Sequence, residues 1–203
     1  MLTKKWPDLL KTLELWNRED ANMETMTTWT GRVFEPLNMS KEDVCLEDIA
    51  NALSMLCRGG GHVKYFFSVA QHSINCANEA RERGWSPRIQ LLCLLHDASE
   101  AYISDIIRPV KGHLTEYYNI EGSIMNTILE HFGLLPVTDE ENRMWKQVDD
   151  DMMYFELYYL MNNNEHISLR PLSSKPDINE KPYRQVAAEF IEQVNALMEE
   201  LGL

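Results

Sequence analysis

The sequence predicts an all-α domain of about six to eight helices, with a minor N-terminal hairpin as its β element. Three observations carry that reading. Gly and Pro are few (9 and 8 of 203 residues), whereas good helix formers such as Leu, Met, Glu and Ala abound. Apolar residues recur at three- and four-residue intervals along most of the chain. One segment, Ile89 to Leu95, is apolar on nearly every side, as a helix at the centre of a bundle is. A length of 203 residues with 44% hydrophobic content supports one core and not two.

In chain order, residues 1–24 read as a helical appendage and 25–203 as the domain. Pro7 fits a first helical turn, and Leu9, Leu10, Leu13 and Trp16 make a stripe suited to docking on the body or on a second subunit. The alternation of Thr28 to Phe34 around Gly31 suggests the hairpin. Leu46, Ile49, Ala50, Leu53 and Leu56 line one helix face, with Gly59-Gly60-Gly61 expected to end that helix. A second helix spans 66–83 and stops at Gly84. Pro87 opens the apolar third helix. Helices at about 115–132 and 138–162 follow, then a loop from Pro171 to Pro182. A closing amphipathic helix over 183–201 turns Val186, Phe190, Val194 and Leu197 inward.

A net charge of −13 argues against a nucleic-acid polymer as partner, since such binding relies on Lys and Arg releasing counterions. It leaves a small phosphate ester open, because a metal ion and a few local cations can hold one nucleotide. Neither a membrane span nor a secretion signal is legible, so a soluble, cytoplasmic protein is expected. Cys45, Cys57, Cys76 and Cys93 lack a Cys-x-x-Cys pair and read as thiols of a reducing compartment.

The strongest chemical signal is Leu94-Leu95-His96-Asp97-Ala98-Ser99-Glu100. Ionisable groups at the end of an apolar helix are costly unless paired or metal-bound. Imidazole and carboxylate suit a divalent transition ion: Mn, Co, Zn, Fe or Ni. Glu100, four residues beyond His96, is expected one turn away on the same face. From there it could act as a general acid/base on metal-activated water. A bare His-Asp pair at a helix end is nonetheless more often a cap than a ligand pair, because a metal site needs three or four ligands. His72, in Val69-Ala70-Gln71-His72-Ser73, shares a face with Val69 and Cys76 and points at the core. Asp149-Asp150-Asp151 repel one another, and spacing leaves open which of them faces inward.

Together these residues resemble the HD superfamily of metal-dependent phosphohydrolases, whose ordered signature is His, then His-Asp, then Asp on separate helices. Further stretches are similar to bacterial and phage 5′-deoxynucleotidases of that superfamily. They include Gly31-Arg32-Val33-Phe34, Cys57-Arg58, Gly61-His62, Tyr65 to His72, His96 to Tyr102, Pro109-Val110-Lys111, and Lys146-Gln147-Val148-Asp149 with Glu156. The resemblance covers about residues 27–200. It implies His72, His96, Asp97 and Asp149 as metal ligands, choosing Asp149 over its two neighbours. It implies Glu100 and the ligand Asp97 as catalytic residues. Arg58 and Asp105 become substrate contacts, with His62 and Lys111 as weaker ones.

The implied reaction is hydrolysis of a deoxynucleoside 5′-monophosphate by a homodimer. Triphosphate hydrolysis on the same scaffold is one alternative, although the acidic chain offers no evident extra cluster of cations for it. A nucleotide-binding module without catalysis is another. The relatives usually carry Phe where this chain has Gly59, which is expected to widen the pocket or remove a base-stacking wall.

Overall fold

Ser68 and Thr138 set where two of the long helices begin. Each is an N-cap whose hydroxyl accepts from the backbone N–H three residues on, while Gln71 or Glu141 accepts from the cap's own N–H. The computed structural model describes residues 24–203. The appendage expected over 1–24 lies, apart from Glu24, outside the described residues.

The helices are α1 (Leu46–Met55), α2 (Val69–Glu82), α3 (Pro87–Leu95), α4 (Glu100–Ile103), α5 (Arg108–Lys111), α6 (Thr115–His131), α7 (Asp139–Leu160) and α8 (Tyr183–Leu201). The fold is all-α, as expected. Pro87 sits in the first turn of α3, where its missing N–H costs nothing. Gly202 closes α8 in the left-handed conformation.

The minor hairpin is present, and it starts at Met26, two residues before the expected alternation. β1 (Met26–Thr27) pairs antiparallel with β2 (Val33–Phe34), Met26 opposite Phe34, and residues 28–32 form the turn between them. Thr30 fastens that turn to α1, its backbone N–H and its hydroxyl both donating to Asp48 (2.7 and 2.8 Å).

α3 is the central helix, packed against α2, α7 and α8. Leu91, Leu94 and Leu95 are fully buried there. Each such leucine contributes about 1.5–3 kcal/mol relative to exposure. α1 and α8 close the core from the other side through Ile49, Ala50, Leu53, Val186, Phe190 and Val194. No described helix is long and apolar enough to cross a membrane.

Two expectations are corrected. The glycine run does not end α1, which stops at Met55. Instead Gly59 and Gly60 adopt consecutive left-handed conformations in a separate tight turn over Arg58–Gly61. His96 and Glu100 are also not on one helix. α3 ends at Leu95, and the backbone stays right-handed through a short turn before Glu100 opens α4.

Candidate metal centre

α2 and α7 each bring one of the expected residues to one point, and the turn after α3 adds the other two. His72 lies one turn inside α2 and is fully buried. Its Nδ1 lies 2.9 Å from both carboxylate oxygens of Glu156 on α7. His96 is the first residue past α3, and its Nδ1 lies 2.8 Å from the Cys93 carbonyl oxygen. Both partners are acceptors only, so each Nδ1 carries the ring proton and each Nε2 of a neutral ring presents a lone pair. The two Nε2 atoms face each other at 3.3 Å.

Two carboxylates complete the group. Asp97 Oδ2 lies 3.3 Å from His96 Nε2 and 3.9 Å from His72 Nε2. Asp149 Oδ1 lies 3.3 Å from His72 Nε2 and 3.8 Å from His96 Nε2. The three adjacent acids of α7 thus separate by direction. Asp149 turns into the cluster, and Asp150 binds Arg108 and Lys146 at its edge. Asp151 is buried on another side, where it pairs with Arg83 and Arg170 at 3.0 Å.

The electrostatics call for positive charge at the centre. Burial would raise the Asp149 carboxyl, but the His72 and His96 rings hold it far below the usual carboxylate range. Burial likewise works against Asp97, and His96, Arg58 and His72 hold it low. Burial and Arg58 oppose a charged His72. The Cys76, Glu156 and Asp149 groups outweigh them and lift it well above the imidazole range.

Arg58 lies at the edge, Nη1 at 3.4 Å from Asp97 Oδ2 and Nε at 3.5 Å from Glu156 Oε2. Glu100 is buried, and its Oε2 has no hydrogen-bond partner. Burial first, then the Asp97 and Asp105 charges, push its carboxyl up to about 9. Asp105 is also raised, mainly by burial. It follows Ser104, whose left-handed φ of 68° is a sparsely populated conformation for a residue with a Cβ.

Of the weaker candidates, Lys111 is engaged by Glu121 and lies over the Tyr117 ring. His62 is exposed at the end of the glycine turn. A Cβ at Gly59 would meet the Met161 side chain at 3.1 Å, so this position packs against the end of α7.

Three features were not assigned from the sequence. Cys76, one turn after His72, places Sγ 3.5 Å from Nε2 and 3.9 Å from Nδ1 of that ring. Such similar distances set the sulfur beside the ring rather than in line with the Nε2 lone pair. One donor atom each from His72, Cys76 and His96 nonetheless fall within 4.8 Å of one another. Arg108 and Lys146 meet at Asp149 Oδ2 (3.1 and 3.0 Å) while remaining about half exposed. The third feature is the support that Glu156 gives to His72. The seven-residue interval from Asp149 to Glu156 spans two helical turns and puts both on one face, a signal that spacing alone carries.

The comparisons with known proteins bear on relationship and not on activity. No family model matches the chain. Two relatives do. The uncharacterized protein YfdR of Escherichia coli (strain K12) is 37% identical over 115 residues, which is 57% of this chain and 62% of that protein. An uncharacterized protein of Rhodobacter capsulatus is 33% identical over 111 residues, 52% of this chain and 56% of that protein. The chain therefore spans less than two thirds of the length of each relative.

Proposed function

We propose that the protein is a divalent-metal-dependent phosphohydrolase of the HD superfamily, acting on a small nucleotide. Its leading reaction is hydrolysis of a deoxynucleoside 5′-monophosphate to deoxynucleoside and phosphate. One observation carries the reading. With both Nδ1 protons committed elsewhere, two imidazole lone pairs and two carboxylate oxygens converge on one buried point. A divalent cation satisfies that donor set better than any side chain nearby.

The residues fit such an ion: His72, His96, Asp97 and Asp149 would hold it. Mn, Co, Zn, Fe and Ni all suit mixed imidazole and carboxylate ligands. When bound, the ion supplies Lewis acidity, polarising a phosphoryl oxygen and making water more acidic.

The chain's own residues supply the rest. Glu100 is high enough in pKa to hold a proton near neutral pH, and its unpartnered Oε2 is free to exchange one. It hands a proton to the departing 5′-oxygen and takes one from the attacking water, so the balance closes as ester plus water giving alcohol plus phosphate. Arg58, anchored by Asp97 and Glu156, neutralises the phosphate. Asp105 is the residue for the sugar side, with Lys111 and His62 as weaker substrate contacts. The four free thiols fit a reducing, cytoplasmic setting for this chemistry.

The test is a panel of deoxynucleoside mono- and triphosphates, run in turn with Mn²⁺, Co²⁺ and Zn²⁺, with products resolved by ion chromatography. Orthophosphate from monophosphates is expected. Binding without any release from any substrate would leave a nucleotide-binding module and defeat the hydrolase reading.

A second reading has one observation in its favour. Arg108 and Lys146 form a half-exposed cation pair beside the donor set, the extra charge a longer phosphate chain needs. On that reading the enzyme cleaves deoxynucleoside triphosphates at the α-phosphorus, and the same panel would show tripolyphosphate. Arg108→Ala would then raise KM for triphosphates more than for monophosphates.

A further inference from the structure

We propose that Glu156 is the positioning residue of this centre, orienting His72 and Arg58 through two separable properties of one carboxylate. The proposal rests on the metal reading above and adds what arranges the site. Glu156 is buried on α7, two helical turns beyond Asp149 and on the same face. Both its oxygens lie 2.9 Å from His72 Nδ1, and Oε2 also lies 3.5 Å from Arg58 Nε. The other end of the same guanidinium reaches Asp97 Oδ2 at 3.4 Å. Arg58 is thus stretched between Glu156 and a candidate ligand, and Glu156 meets His72 from behind, at Nδ1, while it holds Arg58 at Nε.

The two contacts ask for different things. His72 needs an acceptor for its Nδ1 proton, which fixes the tautomer and turns the Nε2 lone pair inward. A neutral amide oxygen can meet that need. Arg58 needs negative charge, and an amide that spends its oxygen on His72 turns an NH₂ group toward the guanidinium, donor against donor. Glu156→Gln therefore separates the functions, whereas Glu156→Ala removes both.

The full-length protein is tested as wild type, Glu156→Gln and Glu156→Ala. Mn²⁺ affinity is read by calorimetry, and orthophosphate affinity is read at saturating Mn²⁺. Glu156→Gln is expected to keep Mn²⁺ affinity within about threefold while losing about tenfold for orthophosphate, and Glu156→Ala to weaken Mn²⁺ by about 10–100-fold. A purely structural glutamate would not split the two affinities. Equal loss of both ligands in Glu156→Gln, or unchanged orthophosphate binding in that variant, overturns the proposal. That arm decides even where Glu156→Ala fails to fold. Wild-type Mn²⁺ affinity in a folded Glu156→Ala protein overturns it alone. A wild-type protein that binds no Mn²⁺ overturns the metal reading beneath it as well.

Discussion

His72 and His96 present their Nε2 atoms to each other at 3.3 Å, each ring anchored from behind by an acceptor that takes its Nδ1 proton. Neither neutral ring can donate to the other. The contact is sustained only if positive charge enters between them, as protons or as a cation, and Asp97 and Asp149 supply the negative charge that draws it in. The helices that set this geometry are the ones the core holds most firmly, since His96 follows directly on the fully buried Leu94 and Leu95 that end α3.

The three adjacent acids of α7 are expected to behave differently. Asp149→Ala should abolish divalent-ion retention, and Asp150→Ala should leave it intact. Asp151→Ala should retain the ion but lose about 1–3 kcal/mol of stability, because Arg83 loses one of its two carboxylate partners and keeps Glu79. Elemental analysis and urea denaturation of the three variants separate these outcomes. Ion loss in Asp150→Ala with retention in Asp149→Ala would reverse the assignment.

Glu100 gives the metal-stripped protein a characteristic pH dependence. Its carboxyl rises from 4.5 to about 9 in the folded chain. Between those limits the folded state keeps a proton that the unfolded state releases. The stabilisation is complete below the unfolded value and is lost as pH rises through about 9. Glu100→Gln imitates the protonated form and should remove that slope. Melting temperatures measured from pH 5 to pH 9 should show wild type falling steadily relative to the variant. Parallel profiles would place the Glu100 carboxyl at an ordinary value.

Helix faces and caps were legible in the sequence because they are local. The 3.6-residue period found α1, α2, α3, α6, α7 and α8, and the cap at Thr138 lies where the helix from 138 was expected. Position across elements was not legible. Period alone could not separate Asp149 from Asp151, since both face protein on different sides of α7 and the partners that distinguish them come from α2 and the chain after α7. The pairing of Arg108 with Lys146 was not legible because they sit 38 positions apart in sequence and meet only through Asp149 and Asp150. The glycine run was misread for a similar reason. A helix stop and a free-standing left-handed turn share the same composition, and only the packing of Gly59 against Met161 tells them apart.

That packing yields a third prediction. Gly59→Phe, which restores the residue usual among the resembling nucleotidases, places a Cβ at a φ of 61° and 3.1 Å from Met161 Cε. The left-handed conformation alone costs about 1–2 kcal/mol for a residue with a Cβ. A lower urea midpoint at unchanged m-value is expected. A stabilised variant would mean that this turn readily rearranges.

The core makes the fourth. Leu94→Ala removes a fully buried side chain from α3, two residues before His96. A loss of about 2–5 kcal/mol is expected. Chemical denaturation measures it, and a loss under 1 kcal/mol would show that α3 is not the central helix.

The claim on which the account depends is that one divalent ion sits among His72, His96, Asp97 and Asp149. The direct measurement is elemental analysis of the full-length protein after reconstitution with Mn²⁺ and removal of free ion, for wild type beside folded His96→Ala and Asp97→Ala. One equivalent of manganese per wild-type chain, lost in both variants, is the predicted result. A wild-type chain that retains none, or variants that retain as much as wild type, would contradict it.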